Sequence, residues 1–446
     1  MVTVRGLDRR PLALPAFRRL WIASAVSAIG GSFSVIAVPA QLFALTGSSA
    51  AIGWSAAVTF PLLACGALGT GALADVLDRR RLLLGAHTSL ALTYLLLWAQ
   101  SVAELRSVAV LLVLAGGQGL SYGAILTTTG AALPRVVPPN LLAAANSLSS
   151  LTRYTGAVVG PLLAGVLIPV TGLGTLYLLD AAALITVLWA AFRLPALPTR
   201  TGPPPIIERR RLAGFRLLAT DPVLRAVLGL DLVAMVFGMP SALFPELAAG
   251  DLAGPAAGRA IDRSQVLGLL YAAYPAGVFA LGLISGTFTR TRRPGALITL
   301  AALIWGMTVI IAGLTANLWL TLAALGLGGA ANFVLSTCRN AITQAVPDDS
   351  VRGRTQGALT IVLIGGPQAG AAVHGLVGSL LGARHTICLG GLLTLAAAAL
   401  LRVAAPQLWR YRSAAGPQPP DQARPEADPG VAEARRPGSA TTPRCP

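Results

Sequence analysis

The sequence predicts an all-α polytopic membrane protein, with twelve transmembrane helices arranged as two pseudo-symmetric six-helix bundles. Composition is the first observation behind that fold class. Over 446 residues the mean hydropathy is +0.70, with 54% hydrophobic and only 11% charged residues, too apolar for a globular enzyme that must cover itself with polar groups. The second is a series of apolar runs of about 20 residues, each long enough to cross a hydrocarbon core, separated by short polar loops. The third is an internal repeat. Gly53 and Gly268 stand 215 residues apart, as do Gly71 and Gly286, and Pro61 and Pro275 stand 214 apart. The segment VPPNLLAAANSL from Val137 matches VPDDSVRGRTQGAL from Val346, and Gly156 matches Gly365, both at a separation of 209. Duplicated helical halves in a membrane mark a secondary transporter.

In chain order, spans are expected at 17–45, 50–74, 82–101, 108–134, 141–168 and 174–193, then at 223–249, 264–288, 295–314, 318–344, 355–381 and 384–403. The first is too long for a signal peptide and follows a basic stretch with no cleavage site, so it should remain in the membrane. Residues 1–193 form the N-terminal half. Between the halves lies a linker, 194–221: PALPTRTGPPP is too proline-rich for a helix, whereas IIERRRLAGFRLLATDP reads as an amphipathic helix on the membrane surface. The C-terminal half covers 222–404. A tail, 405–446, rich in Pro, Ala, Gly and Arg, has the composition of a disordered segment.

The formal net charge is +17, and its placement matters more than its size. Arginines cluster at Arg5, Arg9, Arg10, Arg18 and Arg19, at Arg79 to Arg81, at Arg209 to Arg211 and Arg216, at Arg290, Arg292 and Arg293, and at Arg352 and Arg354. All fall on one side of the expected topology, with few basic groups in the alternate loops. That side is cytoplasmic by the positive-inside rule, which puts both termini in the cytoplasm of a multi-pass cell-membrane protein and leaves nucleic acid a poor partner. The 34 basic residues are all arginine. Without lysine the chain cannot carry the phosphate-binding loop of an ATP-driven motor, so energy must come from an ion gradient or a partner. Cys65, Cys338, Cys388 and Cys445 have no metal-site spacing, and His87, His374 and His385 are dispersed. No metal, cofactor or catalytic constellation is expected, and the chain reads as a non-enzyme.

Two motifs bring in a resemblance. After the second span, GALADVLDRRR places Gly71, Asp75, Arg79 and Arg80 in a pattern similar to the cytoplasmic signature of the major facilitator superfamily, with Val76 where a basic residue is usual and Asp78 where glycine is usual. The resemblance implies the major facilitator fold, with the aspartate bonded to a neighbouring helix N-terminus and the arginines latching the two halves. In the fifth span, TGAVVGPLLAG gives Gly156, Gly160, Pro161 and Gly165, which resembles the glycine-proline signature of exporters in that superfamily. A weaker echo follows at Gly365, Gly366, Pro367 and Gly370. Small residues at this spacing let helices approach closely, and the proline bends the helix. Longer stretches, AVPAQLFALTGSS, RLAGFRLLATDPVL, ALFPELA and LGLLYAAYPAGVFALGLISGTFTRTRRPGAL, resemble bacterial siderophore exporters over most of residues 11–404. That resemblance implies export energised by proton antiport, with multidrug and macrolide pumps as relatives.

Ionisable groups inside a span cost about 2.5–3.5 kcal/mol at the centre on insertion scales, so those present should face a cavity or a partner. Asp231, about 13 Å into the seventh span, is the first candidate for carrying the exchanged proton. Arg153, expected near the midplane, either receives cargo or neutralises Asp231 or Asp180. Asp180 and Glu246 lie nearer the outer ends and suit structural or gating roles. Gln41, Gln118, Tyr122, Tyr271, Tyr274, Asn332 and Arg339 are the cavity candidates, with rings to stack on an aromatic cargo and amides to orient it. The expected partners are a small-molecule substrate and membrane lipid, with the chain acting as a monomer. Three readings of function stand side by side: a proton-coupled exporter of a siderophore or similar hydrophobic metabolite, a broad-specificity drug-efflux pump, and a non-transporting membrane sensor.

Overall fold

The structure, a computed structural model, describes residues 8–74, 77–194, 213–250, 252, 261–283, 293–346 and 349–411. Asp75, Gly286, the arginines at 209–211, 290 and 292, most of the linker and the tail beyond 411 lie outside the described residues. The described chain is helical throughout: α1 (Pro15–Gly30), α2 (Ser34–Thr46), α3 (Ser49–Leu73), α4 (Arg79–Val102), α5 (Val108–Val136), α6 (Leu142–Phe192), α7 (Ala213–Thr220), α8 (Pro222–Phe237), α9 (Phe244–Ala249), α10 (Arg263–Leu283), α11 (Pro294–Leu314), α12 (Leu318–Ala345), α13 (Asp349–Leu381), α14 (Ala383–Ala404) and α15 (Pro406–Arg410). Among the described residues, ten segments are long and apolar enough to cross a membrane. One of them is the bulk of α6, whose 51 residues would run about 77 Å if straight, more than twice a hydrocarbon core.

The chain turns back inside α6 at Gly172, where φ is 78° and ψ 167°, a conformation open to glycine and costly for other residues. Leu148, before the turn, packs with Phe17 at the start of α1, while Phe192, after it, accepts a hydrogen bond from Arg80 at the start of α4. Both arms therefore begin and end at the face of the molecule that holds the chain's first crossing start, here called the termini face. The same device recurs 210 residues on, at Gly382 between α13 and α14, with φ 78° and ψ 157°. Counting α6 twice and adding α13 gives twelve crossings. Both positions fall between expected spans, and a single glycine at positive φ makes each turn.

Two expected spans are broken in the middle. The first crossing is α1 and α2, interrupted at Gly31–Phe33; the seventh is α8 and α9, interrupted at Gly238–Leu243. Helix starts elsewhere are capped by side chains. Ser48 caps α3, Asp78 caps α4, Ser107 caps α5, Asp221 caps α8 and Asn317 caps α12, each accepting from an amide in the first turn. Leu92, Leu96, Ile185, Leu400 and Val403 are large and exposed, a lipid-facing belt rather than a defect of packing. Within each half the helices pack as α1 with α6, α3 with α5 and α4 with α6, and as α10 with α12, α11 with α12 and α11 with α14. Across the halves, α6 packs on α10 and α3 on α13.

Candidate functional site

The repeated glycines sit where the halves touch. A Cβ on Gly53 would lie 3.1 Å from Gly375 Cα, and one on Gly165 would lie 3.2 Å from Gly268 Cα. Gly53 and Gly268 are the repeat pair, so the duplicated sequence makes two related backbone contacts, α3 on α13 and α10 on α6, both toward the face opposite the termini. A third link there is polar. Glu246 in α9 accepts from the Ala383 amide at 2.9 Å, capping α14, and its other oxygen is bonded to the Ser49 hydroxyl at the start of α3. One carboxylate thus joins the halves at the far face.

The glycine-proline segment of α6 supplies further close approaches. A Cβ on Gly156 would lie 2.3 Å from Ala28 O, and one on Gly160 would lie 2.4 Å from Ser32 Cβ, so α1 packs onto α6 at backbone distance. The echo in α13 does the same: Gly370 leaves 2.6 Å to Met235 O of α8, and Gly365 leaves 2.5 Å to the Phe60 ring of α3.

Between the halves lies a cavity of about 320 Å³. Ser32 and Val35 from the break in the first crossing line it, with Ala157 and Pro161 from α6, residues 238–241 and Phe244 from the break in the seventh, Tyr271 and Tyr274 from α10, Trp305 and Thr308 from α11, and Pro367 and Gln368 from α13. The lining residues include no Asp, Glu, Arg or His among the described residues. Rings meet on this wall: Phe244 and Tyr271 edge to face at 5.1 Å, and Tyr274 and Trp305 tilted at 5.9 Å. The Trp305 indole N–H donates to Gly238 O at 3.0 Å and the Tyr271 hydroxyl to Ser241 O at 3.1 Å. Trp305 thus satisfies a carbonyl released where the seventh crossing breaks, and Tyr271 adds a second bond to Ser241 O, which also accepts from the Phe244 amide.

The residues singled out in the sequence distribute unevenly around this cavity. Tyr271 and Tyr274 line it. Gln41 is engaged instead with Gln100, at 3.0 Å, and with the Tyr177 hydroxyl, at 2.8 Å; Gln118 is bonded to Tyr94; Tyr122 is exposed. Asn332 is buried, with no partner for its amide nitrogen among the described residues. Arg339 is the partner of Asp231, at 2.8 Å, with the two side chains 7% and 1% exposed. The expected pairing of Arg153 with Asp231 or Asp180 is therefore corrected. Asp231 lies on α8, which packs on α12 and brings it to Arg339, whereas α6 packs on α1, α4 and α10. Arg153 is exposed, its guanidinium 5.4 Å from the centre of the Tyr154 ring.

Asp180 is fully buried in the second arm of α6 and holds the other break. One oxygen accepts from the Ser34 amide at 2.7 Å and is bonded to the Ser34 hydroxyl, and the other accepts from the Phe33 amide at 3.4 Å. His374 is buried, with Nδ1 2.9 Å from Gly370 O. In the cytoplasmic-type motif, Gly71 closes α3 beside Thr127, and Arg79 and Arg80 open α4. Arg80 donates to Phe192 O at 2.5 Å and lies 5.3 Å from that ring's centre. Its partner is in its own half. Asp78, standing where the family pattern has glycine, accepts from the Arg80 amide at 2.7 Å. Sequence reasoning missed Ser32, Ser241, Phe244, Trp305, Thr308 and Gln368 on the cavity wall. Gly31 and the Gly238-Met239-Pro240 run, inside expected spans, were the available signals of breaks facing a cavity.

Residues 9–424 match the family described as transmembrane secretion effector, a branch of the major facilitator transporters. The enterobactin exporter EntS of Shigella boydii serotype 18 is 28% identical over 405 residues, covering 89% of this chain and 94% of that protein, and EntS of Escherichia coli O1:K1 / APEC matches to the same extent. Among solved structures, the nucleoside transporter NupG (D323A mutant) superposes with a TM-score of 0.71 at 13% identity, covering 87% of this chain and 99% of that one. A bacterial homologue of the human lysosomal transporter Spinster, inward-facing and unoccupied, gives 0.64 at 16% identity, with coverages of 90% and 97%. Broken crossings around a cavity, paired glycine contacts from a duplicated sequence and a match over nearly the whole chain lead to one conclusion: this multi-pass membrane protein belongs to the transmembrane secretion effector family of major facilitator transporters.

Proposed function

We propose that the protein is a secondary active exporter that moves a siderophore, or a similar hydrophobic and aromatic small molecule, out of the cell in exchange for protons. The observation that carries this reading is the cavity between the halves, walled by Tyr271, Tyr274, Trp305 and Phe244 with no charged lining residue among those described. Such a wall suits flat rings, with Ser32, Ser241, Thr308 and Gln368 left to orient them. The likeness to enterobactin exporters points to the same class of cargo. Arginine placement supports a cytoplasmic termini face; on that reading the far-face contacts of Gly53, Gly165 and Glu246 close the exit and the conformation is inward-facing. Division into halves 1–193 and 222–404, joined by the linker, follows from the repeat, and the protein works as a monomer in lipid.

The Asp231–Arg339 pair is the proton-exchange site in this reading. A carboxylate bound to a guanidinium inside a span holds α8 to α12, and protonating it releases the arginine, which is a two-state element of the kind alternating access requires. Drug efflux without a dedicated metabolite is the second reading, favoured by how few polar groups the cavity offers to discriminate among apolar cargoes.

The test is the siderophore content of cells and medium, by mass spectrometry, in a deletion strain grown without iron and in the same strain complemented. Intracellular accumulation with lost secretion, reversed by the wild-type gene and not by Asp231→Asn, is the expected result. Unchanged siderophore levels together with a widened drug-susceptibility profile would move the assignment to the second reading.

A further inference from the structure

Asp180 belongs neither to the cavity wall nor to the Asp231–Arg339 pair, yet it is one of the most enclosed acids in the protein, at 0% exposure. No ion-pair partner accompanies it among the described residues. The titratable groups that face it are the phenols of Tyr94, on α4, and Tyr177, on α6. Among the described residues its hydrogen bonds run to Phe33, the cap of α2, and Ser34, the first residue of α2. On either side of that anchor, Ser32 and Val35 line the cavity, and farther along α2 touches α9 and α10 of the opposite half. Buried acids without a cation are costly, and a position that keeps one should use its oxygens.

We propose that Asp180 is a positioning residue whose carboxyl group, accepting at both oxygens, pins α2, the far-face half of the first crossing, in the orientation that both walls the cavity and closes the far face. The start of a helix carries partial positive charge and unsatisfied amides, so a carboxyl group accepting there makes bonds that an amide side chain replaces only in part. Because the backbone between α1 and α2 is already broken at Gly31–Phe33, no intrahelical hydrogen bonds resist a swing of α2. Its direction is set by the anchor. This inference concerns the first crossing itself and does not depend on the identity of the cargo or on Asp231.

Spin-label distance measurements on the full chain in nanodiscs, with the native cysteines replaced, test it. Labels at Ala44 on α2 and Val102 at the end of α4 report α2 against its own half; labels at Val102 and Leu314 report the halves against each other. In Asp180→Asn, which keeps the side chain's shape and puts an NH2 donor in place of one accepting oxygen, the first distance is expected to broaden or shift by about 2 Å or more. Ser34→Ala, which deletes the hydroxyl and keeps both amide bonds, shifts it the same way by less, and it decides the matter if Asp180→Asn does not fold. A general loosening would broaden both distances equally and would overturn the proposal, as would an Ala44–Val102 distance unchanged in the variants. Since no cargo is present, failure here leaves the exporter reading untouched, and failure of the siderophore assay leaves this result untouched.

Discussion

The first and seventh crossings occupy equivalent places in the two halves and are broken at the same depth, yet they are held by opposite chemistry. In the first, α1 is fixed by backbone contact with Gly156 and Gly160 of α6, and the acid, Asp180, binds the amides that open α2. In the seventh, the acid lies before the break: Asp231 ties α8 to Arg339, and the break itself is closed by neutral donors, Trp305 and Tyr271, acting on carbonyls. The acid after that break, Glu246, serves the far-face contact with Ser49 and Ala383 rather than the break itself. The two broken crossings are therefore held by different kinds of contact, an acid on backbone amides in the first and neutral donors on carbonyls in the seventh.

Breaking the ion pair is the largest perturbation of that comparison. Asp231→Ala leaves a buried guanidinium without its partner, and Arg339→Ala leaves a buried carboxylate; each is expected to cost about 3–5 kcal/mol of stability. The double substitution should cost clearly less than the sum, because neither charge is then stranded. Thermal or denaturant unfolding of the four proteins in one detergent supplies the cycle. Additive losses would mean that the two side chains act independently and that the seventh crossing has no ionic anchor.

The comparison also shows what a sequence can and cannot disclose about such a protein. Apolar length is enough for the crossings, and the repeat is legible as a repeat; that its Gly53 and Gly268 are where the two halves meet comes only from the packing. Asp231 stood out as an acid in an apolar run. Its partner did not, because Arg153 and Arg339 are equally anomalous in the linear sequence and only the packing of α8 on α12 chooses between them. The cavity was the least legible part. Tyrosines and amides were marked for polarity, but Gln41 and Gln118 are spent on buried contacts with Gln100, Tyr177 and Tyr94. Much of the wall is made by residues at helix breaks, which a hydropathy window averages away. The two turns at Gly172 and Gly382 fall in the gaps expected between spans; what the sequence leaves out is that one glycine at positive φ makes each reversal.

A smaller effect separates the breaks themselves. Trp305 is 1% exposed and is the donor that satisfies Gly238 O. Trp305→Phe keeps a ring in the wall, strands that carbonyl, and is expected to cost about 1–2 kcal/mol, toward the upper end of interhelical hydrogen bonds in membranes. A loss near zero, measured by the same unfolding assay, would show that the break in the seventh crossing is stable without its cap and that the two crossings differ more than proposed.

Tyr271→Phe is the finest probe. The ring's edge-to-face contact with Phe244, at 5.1 Å and 84°, survives the substitution, so the change isolates one hydroxyl bond to Ser241 O. Interhelical bonds of this kind average about 0.6 kcal/mol in membranes, and the stability loss should be of that order. Transport should respond differently from stability, because the hydroxyl sits on the cavity wall. A catechol-bearing cargo that hydrogen-bonds there should lose apparent affinity by about fivefold to tenfold, at about 1.4 kcal/mol per factor of ten, while an apolar dye of similar size should be carried as before. If dye and catechol transport fall together, Tyr271 acts by holding the break in the seventh crossing in place; if only the catechol suffers, the two broken crossings divide their labour, the first positioning the wall and the seventh reading the cargo.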